Sequence, residues 1–185
     1  GSTAIVSLLL GSQLVVATLG DSVAVLSRRD MLVNLSNPHK PGREDERARI
    51  ERANGWIIEE RELLLDRLNR MDLQDPNVVD HAQRMQWTVT HRVCGDLAVS
   101  RAFGDPDFKT PGVVSIAPFL WPEGHDQVFT ADLITAEPEF VLENISADDN
   151  FMLLACDGIW DVLTAEEAIR FIAQVIGCCS IGPRT

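Results

Sequence analysis

The chain has 185 residues, of which 45% are hydrophobic, and its formal net charge at pH 7 is -12. This length and composition fit one globular domain with a substantial core. The acidic balance excludes the clustered basic face of a nucleic-acid-binding protein, and no apolar stretch is long enough to span a bilayer.

The four cysteines are Cys94, Cys156, Cys178 and Cys179, and no two of them have Cys-x-x-Cys spacing. Cys94 and Cys156 lie in apolar segments, which indicates free buried thiols and not a disulfide framework or a zinc site. We therefore expect an intracellular, reducing compartment, without a choice between cytoplasm, nucleus and organelle stroma. No signal peptide is recognisable, and the chain opens directly in a strand, as if cut from a longer protein.

The first forty residues have the pattern of an antiparallel meander. Residues Thr3–Leu10 and Gln13–Thr18 are rich in β-formers and flank Gly11-Ser12, a pair that suits a tight hairpin turn. Val23–Ser27 and Met31–Leu35 continue the strands.

A charged helix is predicted over residues 43–54. Its apolar contacts are Ala48, Ile50 and Ala53, and Gly55 stands where a left-handed C-terminal cap is expected. A short strand is predicted at Trp56–Ile58.

Residues Glu59–Thr90 are predicted to form a helical insertion. Leu64, Leu68 and Met71 recur at helical spacing and indicate a helix over Glu60–Met71. Asp75-Pro76 has the form of a helix start, and Val78, Ala82 and Met85 mark a second short helix. The alternative is a partly disordered surface loop.

The remaining elements complete an α+β pattern. Strands are predicted at Arg92–Ser100, Ile134–Asn144 and Phe151–Cys156, with a long loop over Phe108–Asp132. Thr164 and Glu167 have the spacing of a capping box that begins a helix. In that helix the residues Ala168, Ile172, Val175 and Ile176 share one face, and Gly177 is expected to end it.

The apolar run Leu153–Cys156 stops at Asp157-Gly158. A carboxylate at the end of a buried strand is rigidly held and can supply an oxygen ligand to a hard divalent cation. The alternative is an ordinary Asp-Gly turn.

Five segments in order resemble the metal-dependent Ser/Thr protein phosphatases of the PPM (type 2C) family. They are Gly1–Ala4, Val16–Ser22, His39–Pro41 with the helix after it, Arg92–Asp105, and Cys156–Asp161, which reads Cys-Asp-Gly-Ile-Trp-Asp. The resemblance implies that residues 1–185 are a single partial PPM-type domain. It also implies an α+β fold, a β-sandwich of antiparallel sheets flanked by helices, incomplete at both ends, with the insertion in the flap region.

The resemblance further implies hydrolysis of phosphoserine and phosphothreonine in proteins. In the intact family site, two Mg²⁺ or Mn²⁺ ions lower the pKa of a bridging water, which attacks the phosphorus. Asp157 matches a metal-binding aspartate of the family's Asp-Gly-x-Trp-Asp motif. The implied partner is a phosphoprotein substrate, with no nucleic acid and no membrane span.

The sequence also departs from the family. The Asp-Gly-His-Gly-Gly segment, which carries further ligands and a catalytic histidine, and the final Asp-Asn motif are absent. Pro38 stands where many relatives have an aspartate for an accessory metal. We therefore assign no catalytic residue, leave substrate-binding residues unknown, and expect the fragment to be inactive. The alternative is a pseudophosphatase or truncated product that binds a phosphoprotein or another partner.

Other polar residues in these motifs have structural interpretations. Asp21 and Asp105 are expected to brace loops, and Arg101 to pair with a carboxylate, with a phosphate contact as its alternative. The tryptophans, of which Trp56 and Trp87 bracket the insertion, are expected to pack against the body. His81, His91 and His125 have no metal-site spacing and are interpreted as surface or satisfied core residues.

Overall fold

The computed structural model describes residues 1–62, 88–109 and 121–179, without the side chains of residues 62, 88, 178 and 179. The strands are β1 Ala4–Leu10, β2 Gln13–Leu19, β3 Val23–Arg28, β4 Met31–Asn34, β5 Ile57–Glu62, β6 Thr88–Val93, β7 Glu139–Asn144 and β8 Asp149–Ala155. The helices are α1 Glu44–Arg52, α2 Asp157–Trp160 and α3 Ala165–Cys179, with a 3-10 turn at Pro106–Phe108. This composition confirms the α+β class.

The chain divides into two compact units. The first, called here the sandwich unit, consists of Ser2–Pro38 and Ala136–Thr185. The second, called the hairpin unit, consists of His39–Thr135 together with Gly1. No helix in the described parts of either unit is both long and apolar enough to cross a bilayer.

The sandwich unit contains two antiparallel three-stranded sheets, with strand orders β1-β2-β7 and β4-β3-β8. The inner faces meet in a core of Leu14 and Val16 from β2, Ala24 and Leu26 from β3, and Leu35. Successive side chains of a strand point to opposite faces, so the alternate apolar residues of β2 and β3 fill one shared core.

Arg28 joins the two sheets at one end of the sandwich unit. From β3, its Nε donates to Asp149 Oδ1 of β8 at 2.6 Å, and its Nη1 donates to Glu143 Oε1 of β7 at 3.1 Å. These hydrogen bonds raise the pKa of the Arg28 guanidinium and hold the pKa of the Asp149 carboxyl below its ordinary value. Asp149 is the first residue of β8, so this contact lies where that strand begins.

Helix α3 begins with the predicted capping box. The Thr164 N–H donates to Glu167 Oε2 at 2.8 Å, and the Glu167 N–H donates to Thr164 Oγ1 at 3.2 Å. The prediction was wrong at the other end, since the helix continues through Gly177 to Cys179. Of the predicted face, Ala168 is buried but Val175 and Ile176 are about half exposed.

The hairpin unit is built on α1 and the antiparallel β5-β6 pair. Its core contains Ile50, Ala53, Val93, Cys94, Ala102, Phe108, Phe129, Leu133 and Ile134. Burial raises the pKa of the Cys94 thiol to about 12, which keeps it protonated and unreactive at neutral pH.

The end of α1 differs from the prediction by one residue. Asn54, with φ of 66°, adopts the left-handed conformation that was assigned to Gly55. The Asn54 amide donates to Asp126 Oδ1 and to the Val128 carbonyl, which ties the helix end to a later loop. Position 55 favours glycine for a different reason, which is that no room is left for a side chain. A Cβ there would lie 2.8 Å from Leu133 Cδ2 and 2.9 Å from Ile50 Cγ2.

The described ends of the predicted insertion Glu59–Thr90 are strands. Glu59–Glu62 continue β5, which pairs with β6 from Thr88 onward, so the helix predicted from Glu60 does not include its first three residues. The rest of both predicted helices, at 63–87, lies outside the described residues and stays a prediction. β6 also ends at Val93, short of the predicted Ser100, because Cys94 and Gly95 turn the chain with positive φ.

A buried carboxylate organises the polar interior of the hairpin unit. Glu46 is 1% exposed, and its Oε1 accepts from Arg101 Nη2 at 2.8 Å while its Oε2 accepts from Arg49 Nη2 at 2.9 Å. Arg49 also donates to the carbonyl oxygens of Ser100, Asp132 and Leu133. Although burial alone would raise it, the pKa of Glu46 is lowered to about 2 by the hydrogen bonds from Arg101 and Arg49.

We expect Glu46→Gln to destabilise the protein by about 3 kcal/mol near neutral pH, because it leaves the half-buried guanidinium groups of Arg49 and Arg101 without their counter-charge. The folded pKa of Glu46 lies below its ordinary 4.5, so its stabilisation is complete above that value and is lost as the pH falls towards about 2. Urea unfolding at several pH values should therefore show the wild type and the variant converging in acid. Glu51→Gln, at an exposed position of α1, is the control, and a constant difference across the pH range would contradict the assignment.

We expect Gly55→Ala to lower stability by roughly 1–3 kcal/mol, because the added methyl group would overlap two fully buried side chains. The matched control is Gly177→Ala in α3, where a Cβ meets nothing within 4 Å. That change should raise stability by up to about 1 kcal/mol through helix propensity. Thermal unfolding of the two variants should therefore shift in opposite directions, and a neutral Gly55→Ala would show that Leu133 and Ile50 can move aside.

Candidate functional site

The candidate site lies where β8 leaves its sheet. β8 ends at Ala155, Cys156 is extended, and the short helix α2 begins at Asp157. The indole Nε1 of Trp160 donates to the Ala155 carbonyl at 2.7 Å, and the Asp161 N–H donates to the Asp157 carbonyl at 2.8 Å. These bonds fix the turn, so Asp157 follows the end of β8 as predicted, with Cys156 between the strand and the aspartate.

Asp157 presents its carboxylate to solvent. Its Oδ1 accepts a hydrogen bond from the Gly158 N–H at 2.8 Å. This contact orients the side chain and leaves lone pairs on both oxygens for a further ligand, since a carboxylate accepts about four hydrogen bonds. The arrangement suits one oxygen ligand of a hard cation such as Mg²⁺ or Mn²⁺.

The described residues do not form a complete metal site. Among them, no three His, Cys, Asp or Glu side chains come together in a way that could hold a metal ion. A hard divalent cation takes about six oxygen ligands, several of which can be waters. One carboxylate therefore fits a share of such a site and not the whole of it, and the role of Asp157 as a ligand stays a prediction.

Arg101 pairs with a carboxylate, as the sequence interpretation expected. Its Nη2 lies 2.8 Å and its Nε 3.2 Å from Glu46 Oε1. Glu46 was missed by the sequence analysis, which took Ala48 as a core contact of α1, whereas Ala48 is exposed. The spacing could have indicated that Glu46 is buried, because it lies on the same helical face as the apolar residues Ile50 and Ala53.

The two loop aspartates have different environments. Asp105 adopts a left-handed conformation with φ of 53° and precedes the 3-10 turn, and its carboxylate lies 2.9 Å from the Gly1 amino nitrogen. The bracing role of the Asp105 side chain stays a prediction. Asp21 is half-buried in the bend between β2 and β3.

The described histidines occupy structural positions. His39 is fully buried, and His91 Nε2 lies 3.4 Å from Glu59 Oε1. His125 donates from Nε2 to the Asn54 carbonyl at 2.8 Å, and its Nδ1 accepts from the Gln127 N–H at 2.9 Å. Because a carbonyl only accepts and an amide N–H only donates, these contacts fix one neutral tautomer of a satisfied residue, as interpreted. His81 lies outside the described residues.

Aromatic packing surrounds His125. The ring centroids of Trp56 and Trp121 are 5.2 Å apart, and that of Phe129 lies 5.1 Å from Trp121. Trp56 therefore packs within the hairpin unit, in agreement with the packing interpretation, while Trp87 lies outside the described residues.

Cys156 differs from its prediction, because it is an exposed thiol directly before Asp157 and not a buried one.

Comparison with known proteins identifies the family. The family model "Protein phosphatase 2C" matches residues 1–178. "Probable protein phosphatase 2C 69" and "Probable protein phosphatase 2C 11", both of Arabidopsis thaliana, are 34% and 37% identical over 95% of this chain. The chain spans about a third of the length of these relatives, 35% and 33% respectively.

Solved structures agree on the fold. A serine-threonine phosphatase 2C from Toxoplasma gondii matches 95% of this chain and 47% of its own, with a TM-score of 0.56 and 20% identity. A phosphatase from a pathogenic strain of Toxoplasma gondii matches 91% of this chain and 40% of its own, with a TM-score of 0.57 and 25% identity. With the family model covering nearly the whole sequence, the chain belongs to the protein phosphatase 2C family.

Proposed function

We propose that this chain is part of a metal-dependent phosphatase that hydrolyses phosphoserine and phosphothreonine in proteins. The observation that carries the proposal is the position of Asp157, an exposed carboxylate held in a fixed turn after β8, within a sequence that matches the family along residues 1–178. Family membership supports phosphatase chemistry in general, and the substrate residue and the metal belong to the proposal.

In this proposal Asp157 supplies one ligand of a site for Mg²⁺ or Mn²⁺. When bound, such ions activate water for attack on a phosphate ester. The contribution of this chain is positional. The hydrogen bonds of Trp160 and Gly158 around Asp157 fix where the carboxylate points before any ion arrives, which reduces the cost of ordering the ligand.

The organisation and location of the protein are part of the same proposal. We propose that residues 1–185 form one partial PPM-type domain, with an insertion between β5 and β6, in a protein of an intracellular, reducing compartment. The single family match across both units supports the one-domain organisation. The free thiols of Cys94 and Cys156 support the reducing compartment.

A second candidate function is phosphoprotein or partner binding without turnover. Pro38 favours it, because proline has no side-chain oxygen at a position where many relatives have an aspartate for an accessory metal. A longer protein that contains this chain and the Asp-Gly-His-Gly-Gly segment distinguishes the two functions. It should hydrolyse phosphate esters if it is a phosphatase, and it should not if it only binds a phosphoprotein or another partner.

The 185-residue chain itself is expected to show no measurable phosphatase activity. Its described residues supply a single fitting carboxylate, and two-metal hydrolysis requires several ligands around each ion. The assay is turnover of p-nitrophenyl phosphate and of a phosphothreonine peptide with millimolar Mn²⁺. Turnover that Asp157→Asn abolished would contradict this expectation and place a complete site within the chain.

Asp157 is expected to bind Mn²⁺ weakly in this chain, with a Kd on the order of millimolar for one carboxylate. Paramagnetic broadening of backbone NMR signals should centre on residues 156–161 and should disappear in Asp157→Asn. The matched control is Asp107→Asn, an exposed aspartate of the hairpin unit.

In a longer active protein, Asp157→Asn should reduce kcat/KM at least about 100-fold. A variant that kept more than a tenth of the wild-type rate would show that Asp157 is not a ligand.

A further inference from the structure

The hairpin unit is inserted into the chain of the sandwich unit. Apart from Gly1 it is one continuous stretch, which the chain enters at His39 and leaves at Thr135. The sandwich unit takes up the chain before this stretch and after it. The two ends of an inserted unit commonly lie close together, as the ends of domains do. The contacts that hold these two ends are therefore contacts on which the whole unit depends.

Both ends are hydrogen-bonded to one short segment, residues 100–102, called here the clamp segment. At the entry, the Ser100 N–H donates to the His39 carbonyl at 3.0 Å. At the exit, the Ala102 N–H donates to the Thr135 carbonyl at 3.0 Å, and the Thr135 N–H donates to the Ser100 carbonyl at 3.4 Å. The Ser100 and Ala102 N–H groups can be at most about 7 Å apart, so one segment holds both ends within a short distance.

The clamp segment lies in the interior of the hairpin unit. Ser100 and Ala102 are buried, and so is His39 at the entry. A buried N–H group that loses its acceptor has no water nearby to replace it, and the loss costs free energy. The three hydrogen bonds should therefore stay closed most of the time, and hydrogen exchange of their amides should measure how often they open.

The carboxylate of Glu46 holds the clamp segment from the side of α1. Arg101, the middle residue of the segment, donates to Glu46 Oε1. Arg49 donates to Glu46 Oε2 and, from the same nitrogen, to the Ser100 carbonyl at 2.9 Å. Its other terminal nitrogen donates to the carbonyls of residues 132 and 133, which come just before the exit. One carboxylate thus orients two guanidinium groups that contact both the clamp segment and the exit strand.

We propose that Glu46 holds the hairpin unit closed, by fixing the clamp segment so that the entry and the exit of the unit open only together. Without the carboxylate, Arg49 and Arg101 must find water or other acceptors, and they leave the clamp segment when they do. A change at Glu46 should therefore loosen both ends of the unit. This role concerns how the unit is held together and does not depend on phosphatase chemistry.

The first test is hydrogen exchange of the 185-residue chain at low urea concentrations, followed by NMR. The amides of Ser100, Ala102 and Thr135 report on the three hydrogen bonds directly. They should share one free energy of opening and one dependence on urea, because both ends open in the same event. A Ser100 amide that opened independently of the Thr135 amide would overturn the proposal.

The second test is Glu46→Gln in the same experiment. Exchange of the three clamp amides should accelerate at least about tenfold more than exchange of the Val93 and Cys94 amides, because only the former depend on the carboxylate. The Val93 and Cys94 amides donate to Leu97 and Trp56 in the same unit and serve as internal references. Equal acceleration of all five amides would overturn the proposal and leave Glu46 a role in overall stability alone.

Two control variants accompany Glu46→Gln. Glu51→Gln makes the same chemical change at an exposed position of α1 and should leave all five amides unchanged. Gly55→Ala disturbs the core of the same unit at Leu133 and Ile50, and it should not accelerate the clamp amides selectively. A selective effect of either control would overturn the assignment to Glu46.

Arg49→Lys keeps the proposal testable if Glu46→Gln does not fold. It preserves the positive charge beside Glu46, but one ammonium group cannot reach all four oxygen atoms that the Arg49 guanidinium contacts. The far-ultraviolet circular dichroism should be that of the wild type, while the Ser100 and Thr135 amides exchange several-fold faster than the reference amides. Unchanged exchange at Ser100 and Thr135 in the folded variant would overturn the proposal.

Discussion

The sandwich unit depends on two short connections that join strands of different sheets. Only residues 20–22 separate β2 from β3, and only residues 145–148 separate β7 from β8. A link of three or four residues spans only a short distance. The end of β2 must therefore lie close to the start of β3, and the end of β7 close to the start of β8. Each of the two links holds the sheets face to face. Arg28 joins the same pair of sheets by contacting Glu143 and Asp149. The position of Asp157 follows from this arrangement, because β8 reaches it in a register fixed by β3.

The sequence was most informative where one local pattern decides the structure. The first hairpin β1-β2, the pairing of β3 with β4 and the capping box of α3 were all predicted, since each depends on residues close together in the chain. The predicted meander was wrong between β2 and β3, because these two strands lie in different sheets. The end of α1 was predicted one residue late, because Asn54 and Gly55 both tolerate left-handed backbone. Only the distant contacts of Asn54 with Asp126 and Val128, and of Gly55 with Leu133, decide between them.

The features that sequence patterns did not predict depend on partners far along the chain. Glu46 on a helix of charged residues looks like a solvated side chain, and its burial depends on Arg101, which lies 55 positions later. The exposure of Cys156, and of Val175 and Ile176 in α3, depends on which elements pack against these residues, and sequence periodicity does not contain that information. The role of Asp157 as a ligand is of the same kind, because it requires further ligands that the described residues do not bring together.

Asp157 differs in its hydrogen-bond partner from three carboxylates that are paired with arginine. Glu46, Asp149 and Glu60 are each engaged by arginine, at distances of 2.6–2.9 Å. Such bidentate or clustered pairs serve the fold, since the guanidinium group occupies the lone pairs that a metal would need. Asp157 is held instead by the neutral N–H of Gly158, which orients the carboxylate without cancelling its charge. A fixed direction and a carboxylate without a cationic partner are what an oxygen ligand of a divalent cation requires, so these contacts agree with the role proposed for Asp157.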